Sequence, residues 1–280
     1  HPQKDDKILT DWNGLMISAI ARAARIFNND NYGKHAVTAM NFISENLKQK
    51  NGKLLKRYRN GNAGLDGVLD DYAYIIWGLI ELYQYNFDSK YLEEAILLSD
   101  YQLNHFWDKE NGGFFFTSDI AEELLVRSKE IYDGAIPSGN SVSTNNFIRL
   151  GRILYRSDYE NIANDLLISF GRKINRYGPA YAQNLIAIDF IQGPSYEVVV
   201  IGEPNKKTEN FLNELNAFKH DRKVVIYINE NNRDKITKII PFLENFPQHK
   251  DSDPWIYVCK NFTCELPTQD LEKVKELLEK

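Results

Sequence analysis

The stretch Leu69-Asp70-Asp71-Tyr72-Ala73-Tyr74-Ile75-Ile76-Trp77-Gly78-Leu79-Ile80-Glu81-Leu82-Tyr83 decides the fold. Tyr72, Ile75, Ile76, Leu79, Ile80 and Tyr83 recur at helical spacing, and apolar residues fill most positions between them. A helix that is apolar on all sides is enclosed by neighbours instead of lying on a surface. Asp70 and Asp71 open it, where carboxylates suit the positive end of the helix dipole. Asn86 to Ser89 then turns the chain, and Tyr91, Leu92, Ala95, Leu98 and Leu103 carry a second helix to about Trp107.

Outward from this pair the same pattern repeats. On the N-terminal side, Trp12, Leu15, Met16, Ala19, Ile20, Ala23 and Ile26-Phe27 mark a helix with Thr10 or Asp11 as its cap. A break at Asn28 to Asn31 leads to a second helix over about Tyr32 to Gln49, ended by Asn51-Gly52. On the C-terminal side, helices run from Ser138-Gly139-Asn140-Ser141 to Tyr155, from Asp158 to about Asn175, and from Ala180 to Ile191. Inner-helix starts at Trp12, Asp71 and Asn140 give a repeat of loop, inner helix, tight turn and outer helix. Short turns make each pair antiparallel. The pattern predicts a toroid built of helical hairpins, with a generic helical bundle as the alternative. Lys53 to Leu69 reads as a loop with a short β-ribbon. Asp108 to Pro137 reads as a longer excursion with extended pieces at Gly112 to Phe116 and Leu124 to Arg127.

After Pro194 the period changes. Glu197 to Gly202, Lys223 to Ile228 and Trp255 to Val258 read as strands, alternating with helices over Asn205 to Phe218, Ile236 to Phe246 and Gln269 to Leu278. The helix through Pro241 must bend or restart. This alternation predicts a small, mainly parallel α/β unit over 195–280, behind a helical-hairpin domain over 1–194.

Composition narrows the function. The 280 residues are 43% hydrophobic and 26% charged, with a net charge of −5, which argues against a nucleic-acid partner. Apolar runs are short and mean hydropathy is −0.46, so no membrane segment is expected. His1 to Lys7 lacks the apolar stretch of a signal peptide and an initiator Met, and the chain is expected to begin inside a longer protein. Two cysteines make no disulfide framework, so a cytoplasmic location is expected, with Cys259 and Cys264 as reduced thiols and a labile disulfide as the alternative.

Five ordered motifs carry a resemblance: Lys4 to Ile17 (with Asp11-Trp12-Asn13-Gly14 at its centre), Leu69-Asp70-Asp71-Tyr72-Ala73, Gly112-Gly113-Phe114-Phe115, Asp133 to Ser141, and Val258-Cys259 through Cys264 with Pro267. Together they resemble the thioredoxin-domain-containing family that includes spermatogenesis-associated protein 20 and the YyaL-type proteins. The resemblance implies an N-terminal thioredoxin-like domain, absent here, followed by an (α/α)6-toroid of the six-hairpin glycosidase type. With three and a half hairpins, this chain is then the C-terminal portion, a partial toroid followed by the α/β unit.

In such toroids the cleft lies where long loops enter the inner helices. Asp11-Trp12-Asn13, Asp70-Asp71-Tyr72 and Ser138-Gly139-Asn140 share that face, and the loops add Arg57, Tyr58, Arg59, Glu130 and Asp133. Polar groups beside aromatic platforms suit a sugar-like ligand. Asp70 and Asp71 are the first catalytic candidates, one able to cap the helix while the other acts as general acid or base; both serving the cap is the alternative. Glycoside hydrolysis needs a second carboxylate, for which Asp11, Glu130 and Asp133 are available, Asp133 being carried as catalytic. Asp11, Trp12, Asn13, Arg57, Tyr58, Arg59, Tyr72, Glu130, Ser138 and Asn140 are substrate-binding candidates. Trp12 is a stacking surface or a core residue. Arg57 and Arg59, on one side of a strand, suit an acidic sugar or phosphate, or belong to a solvated loop. Ser138 and Asn140 cap their helix at the cleft's border. The five scattered histidines include no pair of the kind sugar 2-epimerases use, and neither metal ligands nor a dinucleotide glycine pattern is present, so no cofactor is expected. The expected function is binding or processing of a carbohydrate, by a hydrolase or isomerase if by an enzyme. The alternative is a non-catalytic scaffold for the thioredoxin-like domain.

Overall fold

The structure, a computed structural model, describes residues 4–122, 124–249 and 251–279. Its helical part contains three antiparallel pairs. These are α1 (Thr10–Phe27) with α2 (Asp30–Asn46), α3 (Leu69–Asn86) with α4 (Lys90–Phe106), and α5 (Gly139–Leu154) with α6 (Ser157–Arg176). A seventh helix, α7 (Ala182–Gln192), follows a 3-10 turn at Gly178–Tyr181. Helices α1, α3, α5 and α7 pack side by side as an inner arc, and α2, α4 and α6 back it. The architecture is that of an (α/α)-toroid, present here as an arc of hairpins.

Local chemistry sets the turns. Asn28, Phe87 and Tyr155 each take the left-handed conformation that ends α1, α3 and α5, and each backbone N–H bonds back into its helix. Asn29 caps α2 and Ser138 caps α5 through side-chain oxygens. Between inner helices the approach is close. A Cβ on Gly14 would stand 2.7 Å from the backbone of Tyr74, so only glycine lets α1 and α3 meet at this separation. Being apolar all round, α3 is buried on nearly every face, as its sequence requires. Helix α1 lies at the arc's edge and leaves Trp12 and Met16 on its open side.

The ribbon expected before α3 is present as β1 (Ile8–Leu9), β2 (Leu55–Arg59) and β3 (Asn62–Asp66), an antiparallel meander in which Leu9 lies opposite Arg57, and Arg57 opposite Gly64. The excursion before α5 differs from expectation. Around Gly112 to Phe116 there is one isolated bridge, Trp107 to Phe114, and Leu124 to Arg127 forms no strand. Side chains hold this loop instead. Asn140 accepts from Phe114 N–H and donates to the Phe114 and Glu130 carbonyls, and Arg127 donates to the Thr117 and His105 carbonyls. Backbone groups satisfied this way need no strand partner.

Beyond Gly193-Pro194 lie β4 (Tyr196–Ile201), α8 (Lys206–Ala217), β5 (Lys223–Ile228), α9 (Arg233–Ile239), a 3-10 turn at Pro241–Asn245, β6 (Trp255–Lys260), β7 (Thr263–Cys264) and α10 (Leu271–Leu278). Pro241 restarts the helix as expected. The sheet order is β5-β4-β6-β7, and only β4 with β5 is parallel. The mainly parallel expectation is therefore corrected. No helix separates β6 from β7, and β6 returns antiparallel beside β4, a direction that hydrophobic periodicity does not encode. Cys259 and Cys264 face each other across β6 and β7 and are joined by a disulfide, not held as the free thiols expected. The unit sits on the C-terminal ends of the inner helices in one continuous core. Gln84 of α3 caps the open edge of β5, donating to the Val225 carbonyl at 2.8 Å and accepting from its N–H at 3.0 Å. Buried Arg152 of α5 pairs with buried Glu197 of β4 at 3.0 Å.

Candidate active site

The long loops and the N-termini of α1, α3 and α5 meet at one end of the arc. Their meeting point is a cluster of three carboxylates and one lysine. Asp71, fully buried at the third position of α3, accepts from Val68 N–H at 2.8 Å and closes the helix start. Its other oxygen accepts from Asp11 N–H of α1 at 3.0 Å, tying two inner helices together. Lys56 reaches from β2 into the cluster, with Nζ 2.6 Å from Asp11 Oδ2 and 3.3 Å from Asp71 Oδ1. Burial opposes the lysine's charge, but the two carboxylates outweigh it and hold its pKa above the usual range. For Asp71, burial pushes the carboxyl up, with Lys56 opposing.

Asp70 makes none of these bonds. It is half-buried beside Gly139 at the start of α5 and receives that residue's N–H. Burial pushes its carboxyl up to about 6, with Lys56 and the Gly139 N–H partly offsetting and Asp11 and Glu130 adding to the rise. A carboxyl of this kind exchanges protons near neutral pH, as general acid-base chemistry requires. Of the adjacent pair, Asp71 caps the helix and Asp70, half-buried, lies against Gly139.

The other predicted residues divide. Trp12, next in sequence to Asp11 at the start of α1, is 62% exposed. Asn13 is engaged locally, donating to the Leu9 carbonyl at 2.7 Å. Glu130 is exposed on the loop before α5. Asp133 is spent on the backbone, one oxygen accepting from Ser138 N–H at 2.9 Å and the other from Gln183 N–H at 2.8 Å, so it anchors the starts of α5 and α7. Ser138 is the α5 cap, and Asn140, fully buried, clamps the loop. Tyr72 is turned away into the core, stacked 5.1 Å from Tyr101 with its hydroxyl accepting from Leu54 N–H; burial removes it from any cleft. On β2, Lys56 and Tyr58 take the side toward the helices, where Tyr58 packs edge-on against Phe42. Arg57 and Arg59 take the opposite side, and Arg59 pairs with Asp6 at 2.5 Å.

Sequence reasoning missed Lys56. The alternation of β2 was the available signal, since it puts residue 56 on the face opposite the two arginines. Among the described residues no group of three or more His, Cys, Asp or Glu side chains is placed to hold a metal.

An inner arc of helices with carboxylates at the loop-covered N-termini defines this chain as a helical-hairpin toroid of the class found in glycosidases and sugar epimerases. A GH76 alpha-mannanase of Bacteroides thetaiotaomicron superposes with a TM-score of 0.51, at 17% identity, over 61% of this chain and 46% of that one. Cellobiose 2-epimerase of Bacillus thermoamylovorans gives a TM-score of 0.51, at 16% identity, over the same shares. At such identity the likeness is one of fold. In sequence, the chain is similar to proteins named spermatogenesis-associated protein 20. It is 30% identical to the Rattus norvegicus protein over 285 residues, covering 98% of this chain and 36% of that protein. It is 29% identical to the Homo sapiens protein over 288 residues, covering 99% and 36%. An uncharacterized Caenorhabditis elegans protein is 28% identical over 295 residues, covering 100% and 38%. The chain thus spans about a third of the length of these curated relatives. No family model matches it.

Proposed function

We propose that this chain supplies a carbohydrate-processing site at the loop end of its inner helices, with Asp70 as the proton-transferring carboxyl and Trp12 as a stacking surface for a sugar ring. The observation that carries this reading is the division of labour at the start of α3. Burial raises the pKa of both carboxyls, but Asp71 is consumed by the cap and by Lys56, while Asp70 has no side-chain hydrogen-bond partner among the described residues. Glu130 is the carboxylate left exposed for a second role, because Asp11 and Asp133 are committed to Lys56 and to backbone N–H groups. The structural neighbours support the fold on which such sites are built. The reading is tested by screening neutral and acidic oligosaccharides for turnover with the intact protein and with Asp70→Asn. Turnover lost in the variant, with sugar binding retained, supports it; undiminished turnover refutes it.

A second reading has its own support. Most of the predicted site residues, among them Tyr72, Asp133, Ser138 and Asn140, are occupied in holding the fold. The cavity beside Glu130 at the rim does not have Asp70 in its lining. Both facts suit a binding or scaffold role without chemistry.

A further inference from the structure

The rim cavity has a volume of about 680 Å³, within the range of small-molecule sites. One wall is the loop leading to α5, with Glu130 and Tyr132; the other is the last turn of α6 and the 3-10 turn after it, with Lys173, Arg176, Tyr177 and Tyr181. The cavity abuts the α5 start, because the Glu130 carbonyl accepts from Asn140 Nδ2 at 2.7 Å.

Its charge is one-sided. Lys129, also in the lining, is already matched by Asp108 and donates to the Gly112 carbonyl at 2.6 Å. Lys173 and Arg176 have no carboxylate within ion-pair distance among the described residues, and both are exposed. Glu130 is the only acidic residue in the lining. A guanidinium and an ammonium one helical turn apart present donors to a single oxyanion, the arginine able to bind it with two parallel bonds. Cations in a last turn also suit the helix dipole, but that leaves the tyrosines unexplained. Tyr132 and Tyr177 are each 65% exposed at the cavity's mouth, an expensive place for rings unless they meet a flat partner.

We infer that this cavity binds a sugar bearing an oxyanion, with Lys173 and Arg176 on the anionic group and Tyr132 and Tyr177 against the ring. The inference rests on the carbohydrate reading above and extends it to a substrate class. A carboxylate and a phosphate ester share this chemistry, and the test separates them.

Isothermal titration of the intact protein with glucose, glucuronate and glucose 6-phosphate is the experiment, repeated with Lys173→Ala/Arg176→Ala and with Tyr177→Ala. At least one of the two anions is expected to bind tenfold or more tightly than glucose. That preference should vanish in the double variant, and Tyr177→Ala should weaken all bound sugars together. Whichever anion is preferred identifies the source of the oxyanion. Equal binding of glucose and the anions, or a preference surviving in the double variant, overturns the inference and leaves the carbohydrate reading standing. If none of the sugars binds here and no oligosaccharide is turned over in the Asp70 screen, both fall.

Discussion

Gly139 and Asp70 are fitted to each other: a Cβ at position 139 would stand 2.5 Å from Asp70 Oδ1 and 2.7 Å from Leu69 Cγ. The absence of a side chain at the start of α5 lets its N-terminus reach the carboxyl that begins α3. Gly139→Ala is therefore expected to push the two helix starts apart and to cost about 2 kcal/mol, a few degrees in Tm. Gly171→Ala on α6, where a Cβ meets nothing within 4 Å, should stabilise by about 0.5–1 kcal/mol. Thermal unfolding of both variants checks the pair, and equal behaviour would show the close approach to be unimportant.

Asp70 makes stability depend on pH in a stated direction. Its folded-state pKa of about 6 lies above the ordinary 3.8, so between these values the folded protein keeps a proton that the unfolded chain has lost. Stability contributed by the protonated carboxyl falls as pH rises from about 4 to about 6 and stays lower above that. Asp70→Asn is expected to be more stable than the parent at pH 8, by about 1–2 kcal/mol, with no gain at pH 4. Unfolding curves at the two pH values decide it; a gain of the same size at both would mean the carboxyl titrates normally.

Lys56 neutralises two carboxylates that belong to different helices. Lys56→Met leaves Asp11 and Asp71 facing each other without a cation and should cost about 3 kcal/mol near neutral pH. The loss should shrink as pH falls and a carboxyl takes up the missing charge as a proton. Adding Asp71→Asn to Lys56→Met should recover part of the loss at pH 8, since one of the two unpaired charges is gone. Chemical denaturation of both variants at pH 5 and pH 8 is the measurement, and a pH-independent loss would argue that Lys56 contributes only packing.

Cys259 and Cys264 are bonded, so neither thiol should react with an alkylating agent before reduction, and both should after. Mass spectrometry of the intact protein, with and without dithiothreitol, reads this as a shift of zero or two adducts. Cys259 is buried, so reduction alone should expose it slowly unless the hairpin opens.

Much of this molecule can be read along the chain. The inner and outer helices, the asparagine breaks, the Ser138 cap, the β2–β3 ribbon and the change of period at Pro194 all follow from residues within a few positions of one another. Apolar spacing and capping chemistry act over one or two turns and leave a one-dimensional record. The end of the arc that holds the candidate site was legible for the same reason, because helix starts carry polar residues.

Which residues remain available there was decided by contacts across tens of positions. Asp70 and Asp71 are chemically alike and adjacent; they differ because Lys56, Asp11 and Val68 claim one and Gly139 approaches the other. Asp133, Tyr72 and Asn140 look like site residues in the sequence and serve as anchors in the fold. The strand directions of the α/β unit and the joining of Cys259 to Cys264 likewise depend on which strands meet. Side-chain types and local periods were settled by the sequence. Partners, and with them charge, burial and reactivity, were settled only when the chain closed on itself, because the free energy of a carboxyl depends on what surrounds it in space.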